Sequence, residues 1–510
     1  MSSSWPELTV GSLIECGVIT VQKDGNHGSK YPRASEFGDT GVPFLTAKLL
    51  DDSGNIDFEN APKLAQEKAD KFTFGILQPG DVLLSHNATV GRVAIVPDIK
   101  EKVVIGTSLT HYRVDPERLD PRYLAAYMSG RYFQNQLASS MSQTTRNQVP
   151  ITAQRKLTVI LPPIVEQRSI ANSLGNLSDK IRVNYRINKT LEEMAQATFK
   201  SWFVDFEPVK AKIVARERWQ ARQSAQQPAS PVCYAAELEP ESLDPELETR
   251  MALAAMQAIS GKAEAQLARL QTEHPEHYAE LRATADLFPA AMQKSELGEI
   301  PEGWRVAPFS DLARLDTTSV KPAQQPEKEW EHYSIPAFDD GQTPAHEFGA
   351  DIKSNKYKVN RSAVLASKLN PHFPRTWIPL VEDETAAICS TEFMPFVPLE
   401  ESHRPFVAGM VTSAPFQSGI MMRVTGSTGS RQRAQPKQVA VMDVVTPPTA
   451  LIAAYSKLAD PLMASTARNI SQSQTLAKLR DTLLPKLLSG EITVPEVDSQ
   501  LDEATETAHV

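Results

Sequence analysis

Two polar segments carry the side chains best suited to reading another molecule. The first, Gln143-Thr144-Thr145-Arg146-Asn147-Gln148, places amide, hydroxyl and guanidinium groups at consecutive positions. Such groups can distinguish base edges in the major groove of DNA, whereas cations and amides facing phosphates supply most of the affinity. The second segment, residues 425–435, carries Ser427, Ser430, Arg431, Gln432 and Arg433, and Lys437 lies just beyond it. Its Gly426 and Gly429 permit close backbone approach. Two shorter groups could also reach bases or phosphate: His86, Asn87 and Thr89 in the first half, and Lys368, His372 and Arg375 in the second. Each stretch has a plainer reading as well, a polar turn that starts a strand or a flexible loop.

Catalytic chemistry finds little support. Asn370-Pro371-His372-Phe373 resembles the Asn-Pro-Pro-Phe motif with which adenine methyltransferases hold an extruded base, but His replaces the second Pro. No Gly-rich turn follows a strand to hold S-adenosylmethionine, and no Walker-type phosphate loop occurs. Cys16, Cys233 and Cys389 are too scattered for a disulfide framework or a zinc site. Lone histidines such as His27 and His111 fit structural or exposed positions. The expectation is a chain with no catalytic residues, no metal and no cofactor of its own.

A formal charge of −9 gives no global support for nucleic-acid binding, so the placement of charge matters. Acids gather at Glu237, Glu239, Glu241, Asp244, Glu246 and Glu248, and again in the tail from Glu491 to Glu506. Residues 417–442, by contrast, contain Arg423, Arg431, Arg433 and Lys437 with no acid, and residues 100–156 hold nine basic residues against four acids. Local positive fields exist where the total hides them. No apolar run approaches the roughly 18 residues that span a membrane, so a soluble, cytoplasmic protein without a membrane partner is expected.

The elements that must position these residues repeat. At 510 residues the chain exceeds a single core, and its halves follow one plan. Trp5 is followed eight residues later by Leu13, and Trp304 likewise by Leu312. Gly80-Asp81-Val82-Leu83-Leu84-Ser85 is matched by Ser362-Ala363-Val364-Leu365-Ala366-Ser367, and Val159-Ile160-Leu161-Pro162-Pro163 by Val444-Val445-Thr446-Pro447-Pro448. Each Pro-Pro pair leads straight into a long helical pattern. In the first, Ile170, Leu174, Leu177, Ile181, Leu191 and Ala195 fall on a coiled-coil seam, and in the second Tyr455, Ala459, Leu462, Asn469, Leu476 and Leu483 do so. Asn184 and Asn469 both lie 21 residues past the Pro-Pro pair, where a polar residue within the seam can set register. Two solvated Asn residues on rotated helices would give the same pattern.

A first helix over about 39 residues would be on the order of 58 Å long, comparable to roughly 17 base pairs of duplex. The fold class expected is α+β, with two globular domains of mixed sheet and helix, each followed by a long helix, related by an internal pseudo-twofold duplication. The expected divisions are 1–164 and 301–448 for the globular domains, 165–206 and 449–490 for the helices, 207–300 for a helical connector with a loop at 226–231, and 491–510 for a disordered acidic tail. Tyr112, Tyr123, Tyr127, Trp377 and Phe393 fit the core better than a stacking platform.

From Trp5 to about Thr493 the chain resembles the specificity subunits of type I restriction-modification systems. The resemblance is carried by Gln143 to Val149 running into Ile160-Leu161-Pro162-Pro163-Ile164-Val165-Glu166-Gln167-Arg168, by Gly80 to Ser85 with Val90 and Gly91, and by the close Leu479 to Gly490. The second half departs from the pattern: Thr449-Ala450-Leu451 follows its Pro-Pro pair without Glu-Gln, and Ser362-Ala363 replaces Gly-Asp. The resemblance implies two target-recognition domains on antiparallel long helices, each domain reading half of a bipartite site on double-stranded DNA. It further implies docking of two methyltransferase subunits that use S-adenosylmethionine, and of ATP- and Mg-dependent motor and nuclease subunits. A self-sufficient methyltransferase or nuclease, and a coiled-coil scaffold without DNA contact, stand as alternatives.

Overall fold

The computed structural model describes residues 5–51, 53–87, 89–141, 148–226, 244–339, 341–425, 432–489 and 491–492. The acidic tail past Ile492 lies outside them, as does the connector loop from Gln227 onward. The chain forms two compact units, Met1–Asn188 with Arg468–Val510, and Lys189–Ala467. No described helix is long and apolar enough to cross a membrane.

In the first unit, strand Glu7–Thr9 pairs antiparallel with Thr158–Ile160, tying the start of the globule to its end. Between them lies a four-stranded antiparallel sheet in the order Ile19–Asp24, Leu109–Val114, Val82–Ser85, Val93–Ile95. The strand Val82–Ser85 is buried along its whole length, which is why its sequence reads as an apolar run instead of alternating. Helices Pro121–Ser129 and Arg131–Met141 cover the sheet. The first begins where the Asp120 carboxylate accepts the Arg122 and Tyr123 N–H groups and Pro121 occupies the first turn, the arrangement a helix start favours. A smaller sheet contains one parallel pair, Val42–Leu45 with Val104–Ile105.

The second unit repeats this order. Arg305–Pro308 pairs with Asp443–Thr446, and the four-stranded sheet runs Ala313–Leu315, Phe393–Pro398, Val364–Ser367, Thr376–Trp377. Helices Arg404–Thr412 and Ala414–Met422 follow, and a smaller sheet again has one parallel pair, Glu329–Tyr333 with Ala387–Cys389. One shared feature has no counterpart in the sequence comparison above. The Gln134 side chain donates to the Met128 and Gly91 carbonyls at 2.7 and 2.9 Å. Gln417 donates to the Val411 carbonyl at 2.6 Å and to Thr376 Oγ1 at 3.4 Å. Each Gln follows a buried Phe, Phe133 or Phe416, and locks the second helix to the first.

The long helices are Ile164–Phe203 and Thr449–Ser489, of 40 and 41 residues. Within the first unit Ile170, Leu174 and Leu177 pack with Leu476, Leu483, Leu484 and Leu487. There Asn184 meets Gln472 and Ser473 while Asn188 meets Asn469, so the chains run antiparallel. Within the second unit the Tyr455 hydroxyl donates to the Ala195 carbonyl at 3.0 Å, and its ring packs edge-on against Phe199, Trp202 and Phe203. Ile181, Leu462 and Asn469 are half-buried, at the margin of the seam.

The connector contains helices Glu207–Gln226, Pro245–Ser260, Glu264–Glu273 and Pro275–Asp286, then a hairpin of Met292–Ser295 with Gly298–Pro301. Lys212 Nζ donates to the Phe288 carbonyl at 2.5 Å and Arg216 to that of Ala290, anchoring the block to its own first helix.

Candidate nucleic-acid interface

In both units the chain brings the same two segments together at the end of the central strand. In the first, Asn87 and Gln148 form an isolated antiparallel bridge, the Val149 N–H donates to the His86 carbonyl at 2.9 Å, and the His86 N–H donates to the Ser108 carbonyl at 3.0 Å. In the second, Leu369 bridges Arg433, the Ala434 N–H donates to the Lys368 carbonyl at 2.9 Å, and the Lys368 N–H to that of Glu392 at 2.9 Å. The bridge falls two residues past the central strand in each case, and on a residue of the polar segment, Gln148 or Arg433. Of those segments, Gln143, Thr144, Thr145, Arg146 and Asn147, and Ser427, Ser430 and Arg431, lie outside the described residues.

The remaining candidates divide by burial. Asn87, Thr89 and Gln148 are half-buried at the rim of the first site, and Lys437 is exposed at the second. Gly91, at φ +104°, lies in the turn that joins Val82–Ser85 to Val93–Ile95; a side chain there would clash with Gln134 Oε1. His372 Nε2 lies 2.7 Å from Gln432 Oε1. Arg433 is exposed but forms a bidentate pair with Glu392, at 3.1 and 2.8 Å to Oε1. Lys368 is half-buried.

Two candidates are held by neighbours within the protein. His86 is 6% exposed and its Nδ1 lies 2.9 Å from Thr110 Oγ1, so the ring faces the core and its backbone holds the bridge. Burial lowers its pKa, which keeps the imidazole neutral. Arg375 is spoken for by Asp339, at 2.6 and 2.9 Å, with little of its side chain exposed. Sequence spacing could not show either, because the partners Thr110 and Asp339 lie 24 and 36 positions away in the chain. Tyr112, Tyr123, Tyr127, Trp377 and Phe393 are buried.

Beneath the first bridge is a buried polar network. Gln154 accepts from the Tyr112 hydroxyl at 2.5 Å and donates to Thr110 Oγ1 at 3.1 Å and the Val149 carbonyl at 2.8 Å. Burial pushes the Tyr112 hydroxyl pKa far above its ordinary value, so it remains a donor. In the second unit Phe396 pairs with Val364 as Tyr112 pairs with Val82. Val439, eight residues before the Pro-Pro pair as Gln154 is, has no exposure. Phe396 and Val439 thus stand where Tyr112 and Gln154 hydrogen-bond, and neither carries a side-chain polar group that needs a partner.

The same substitution logic explains the departures of the second copy. Gly80 adopts φ +83° and presents Asp81, which is 1% exposed and bound by Arg113 through two 2.8 Å bonds, by His111 at 3.2 Å and by the Gln78 N–H at 2.9 Å. Ala363 occupies that place in the second unit, fully buried. Gln167, also fully buried, accepts the Asp120 N–H at 2.9 Å and donates to the Pro162 carbonyl at 2.8 Å and the Arg118 carbonyl at 3.2 Å, stapling the long helix to the globule. Its counterpart four residues past the second Pro-Pro pair is Ile452, 3% exposed in the apolar core.

Comparison with known proteins follows this geometry. Residues 18–193 match the family model described as the type I restriction modification DNA specificity domain. The chain is 26% identical to the type I restriction enzyme HindI specificity subunit of Haemophilus influenzae, over 96% of its own length and all of that protein's. It is 21% identical to the MjaIX specificity subunit of Methanocaldococcus jannaschii, over 91% and 90% of the two chains. Among solved structures, the S subunit from M. genitalium aligns over 96% of this chain and 97% of that one, at 13% identity and a TM-score of 0.41. One arm matches that domain and the full-length relatives are type I restriction enzyme specificity subunits, so the chain is similar to that family over nearly its whole length.

Proposed function

We propose that the chain is the non-catalytic DNA-reading subunit of a type I restriction-modification assembly. Each globular arm reads one half of a bipartite, asymmetric site on double-stranded DNA, with the segments around residues 86–91 and 143–148 in one arm and 368–373 and 425–437 in the other. The long helices set the separation of the half-sites and dock two methyltransferase subunits. Those partners use S-adenosylmethionine, while ATP- and Mg-dependent motor subunits add translocation and cleavage in the cytoplasm. The chain performs neither reaction. We take residues 1–164 and 301–448 as the two reading domains and 207–300 as the connector that returns the chain to start the second.

One observation supports this reading: the Asn87–Gln148 and Leu369–Arg433 bridges, which hold Gln148 and Arg433 beside the end of the central strand in each arm. Loops on a rigid sheet are a common way to present side chains to a ligand. The test is binding by the assembly of this chain with its methyltransferase subunits, measured against duplexes of many sequences at rising salt. Affinity should depend on sequence and fall with salt, and Lys437→Ala should flatten the salt slope by about 1. Equal affinity for every duplex would contradict the proposal.

A further inference from the structure

Phe373 is the most exposed aromatic among the described residues, at 67%. It sits on a stiff mount. Asn370 holds φ +47°, a conformation that costs a non-glycine residue and is retained where the surroundings impose it. The Asn370 N–H donates to the Gln432 carbonyl at 2.9 Å, its own carbonyl accepts the Phe373 N–H at 2.9 Å, and Pro371 fixes the backbone between them. His372 Nε2 and Gln432 Oε1 add a second tie at 2.7 Å. The backbone that carries the apolar ring is thus tied to Gln432, next to the Leu369–Arg433 bridge.

We infer that Phe373 is a specificity-determining residue of the second arm, making an apolar contact with the C5 methyl group of a thymine in the major groove. This rests on the DNA-reading function proposed above. A phenyl ring has no donor or acceptor with which to read a base edge, so its discrimination must come from apolar surface. Among the four bases only thymine offers a methyl group there. Removing one buried methyl-sized group should cost about four-fold in affinity.

The experiment measures binding of the assembled complex to its own site, with each thymine of both half-sites replaced in turn by deoxyuridine, for the wild type and for Phe373→Ala. The side chain is exposed, so the variant should fold and assemble. The expected result is a loss of about four-fold at one thymine position in one half-site for the wild type, and no loss at that position for F373A. If no deoxyuridine substitution weakens the wild type, or F373A keeps the same sensitivity, the inference is overturned while sequence-specific binding still stands. If the ring instead wedges between base pairs, 2-aminopurine placed at that step brightens on binding by the wild type only, which also overturns it. A wild-type complex that binds all duplexes alike refutes the DNA-reading function itself.

Discussion

Asn184 Nδ2 donates to Gln472 Oε1 at 2.9 Å and to Ser473 Oγ at 3.2 Å from a residue only 1% exposed. A buried amide in an apolar seam is satisfied in only one register of the facing helix, and it gives up some stability for that specificity. Asn184→Ala, which leaves the facing groups unpaired, should therefore cost about 1–3 kcal/mol in denaturant unfolding. Asn184→Leu leaves the same groups unpaired but refills the space, so it should recover part of that loss while allowing more than one register. The check is the set of half-site spacings that the assembly methylates: broadening is expected with Leu, and a single unchanged spacing would remove the register role.

The two copies solve one structural problem differently, at Gln167 and Ile452. Gln167→Ala should destabilise the first arm by about 1–3 kcal/mol, because the Asp120 N–H and two carbonyls lose their partner. Ile452→Gln should be at least as costly to the second arm, since that site is apolar and provides no partners. Chemical unfolding of both variants tests the pair; a neutral Ile452→Gln would show that the second site already accommodates a polar side chain.

Asp81 predicts an acid-sensitive first arm. Burial opposes its ionisation, but bonds from His111, Arg113 and the Gln78 N–H outweigh that, and its pKa lies below the ordinary value. A group whose folded pKa is lowered adds stability above its unfolded pKa, and that stability is lost as pH falls through the folded one. The arm should hold constant stability near neutrality and weaken below about pH 4. Asp81→Asn should lose stability at pH 7 and show a shallower decline in acid. Melting curves from pH 7 to pH 3 provide the measurement, and parallel declines for the two proteins would count against this role.

The repeat was legible because its strands are short buried runs whose composition survives divergence, as in Val82-Leu83-Leu84-Ser85 and Val364-Leu365-Ala366-Ser367. The long seams were legible because their spacing is periodic. Pairings between distant residues were not. Nothing local marks Asn87 as the partner of Gln148, or Asp339 as the clamp on Arg375. The burial of His86 is illegible for the same reason: it depends on Thr110, on a strand formed later in the chain. The shared Phe-Gln at 133–134 and 416–417 was a readable signal that comparing the two halves by strand motifs alone passes over. Phe373 could be seen as an aromatic residue, but its exposure depends on the turn held by Gln432.

The central claim is that two arms on one chain read two separated pieces of DNA, and mapping methylated adenines in the genome of cells carrying this gene and its partner subunits tests it most directly. The account predicts a split motif with a fixed number of unspecified base pairs between its halves, and a chimaera with residues 18–148 taken from a relative should change one half and leave the other intact. A continuous motif, or a chimaera that alters both halves together, would contradict it.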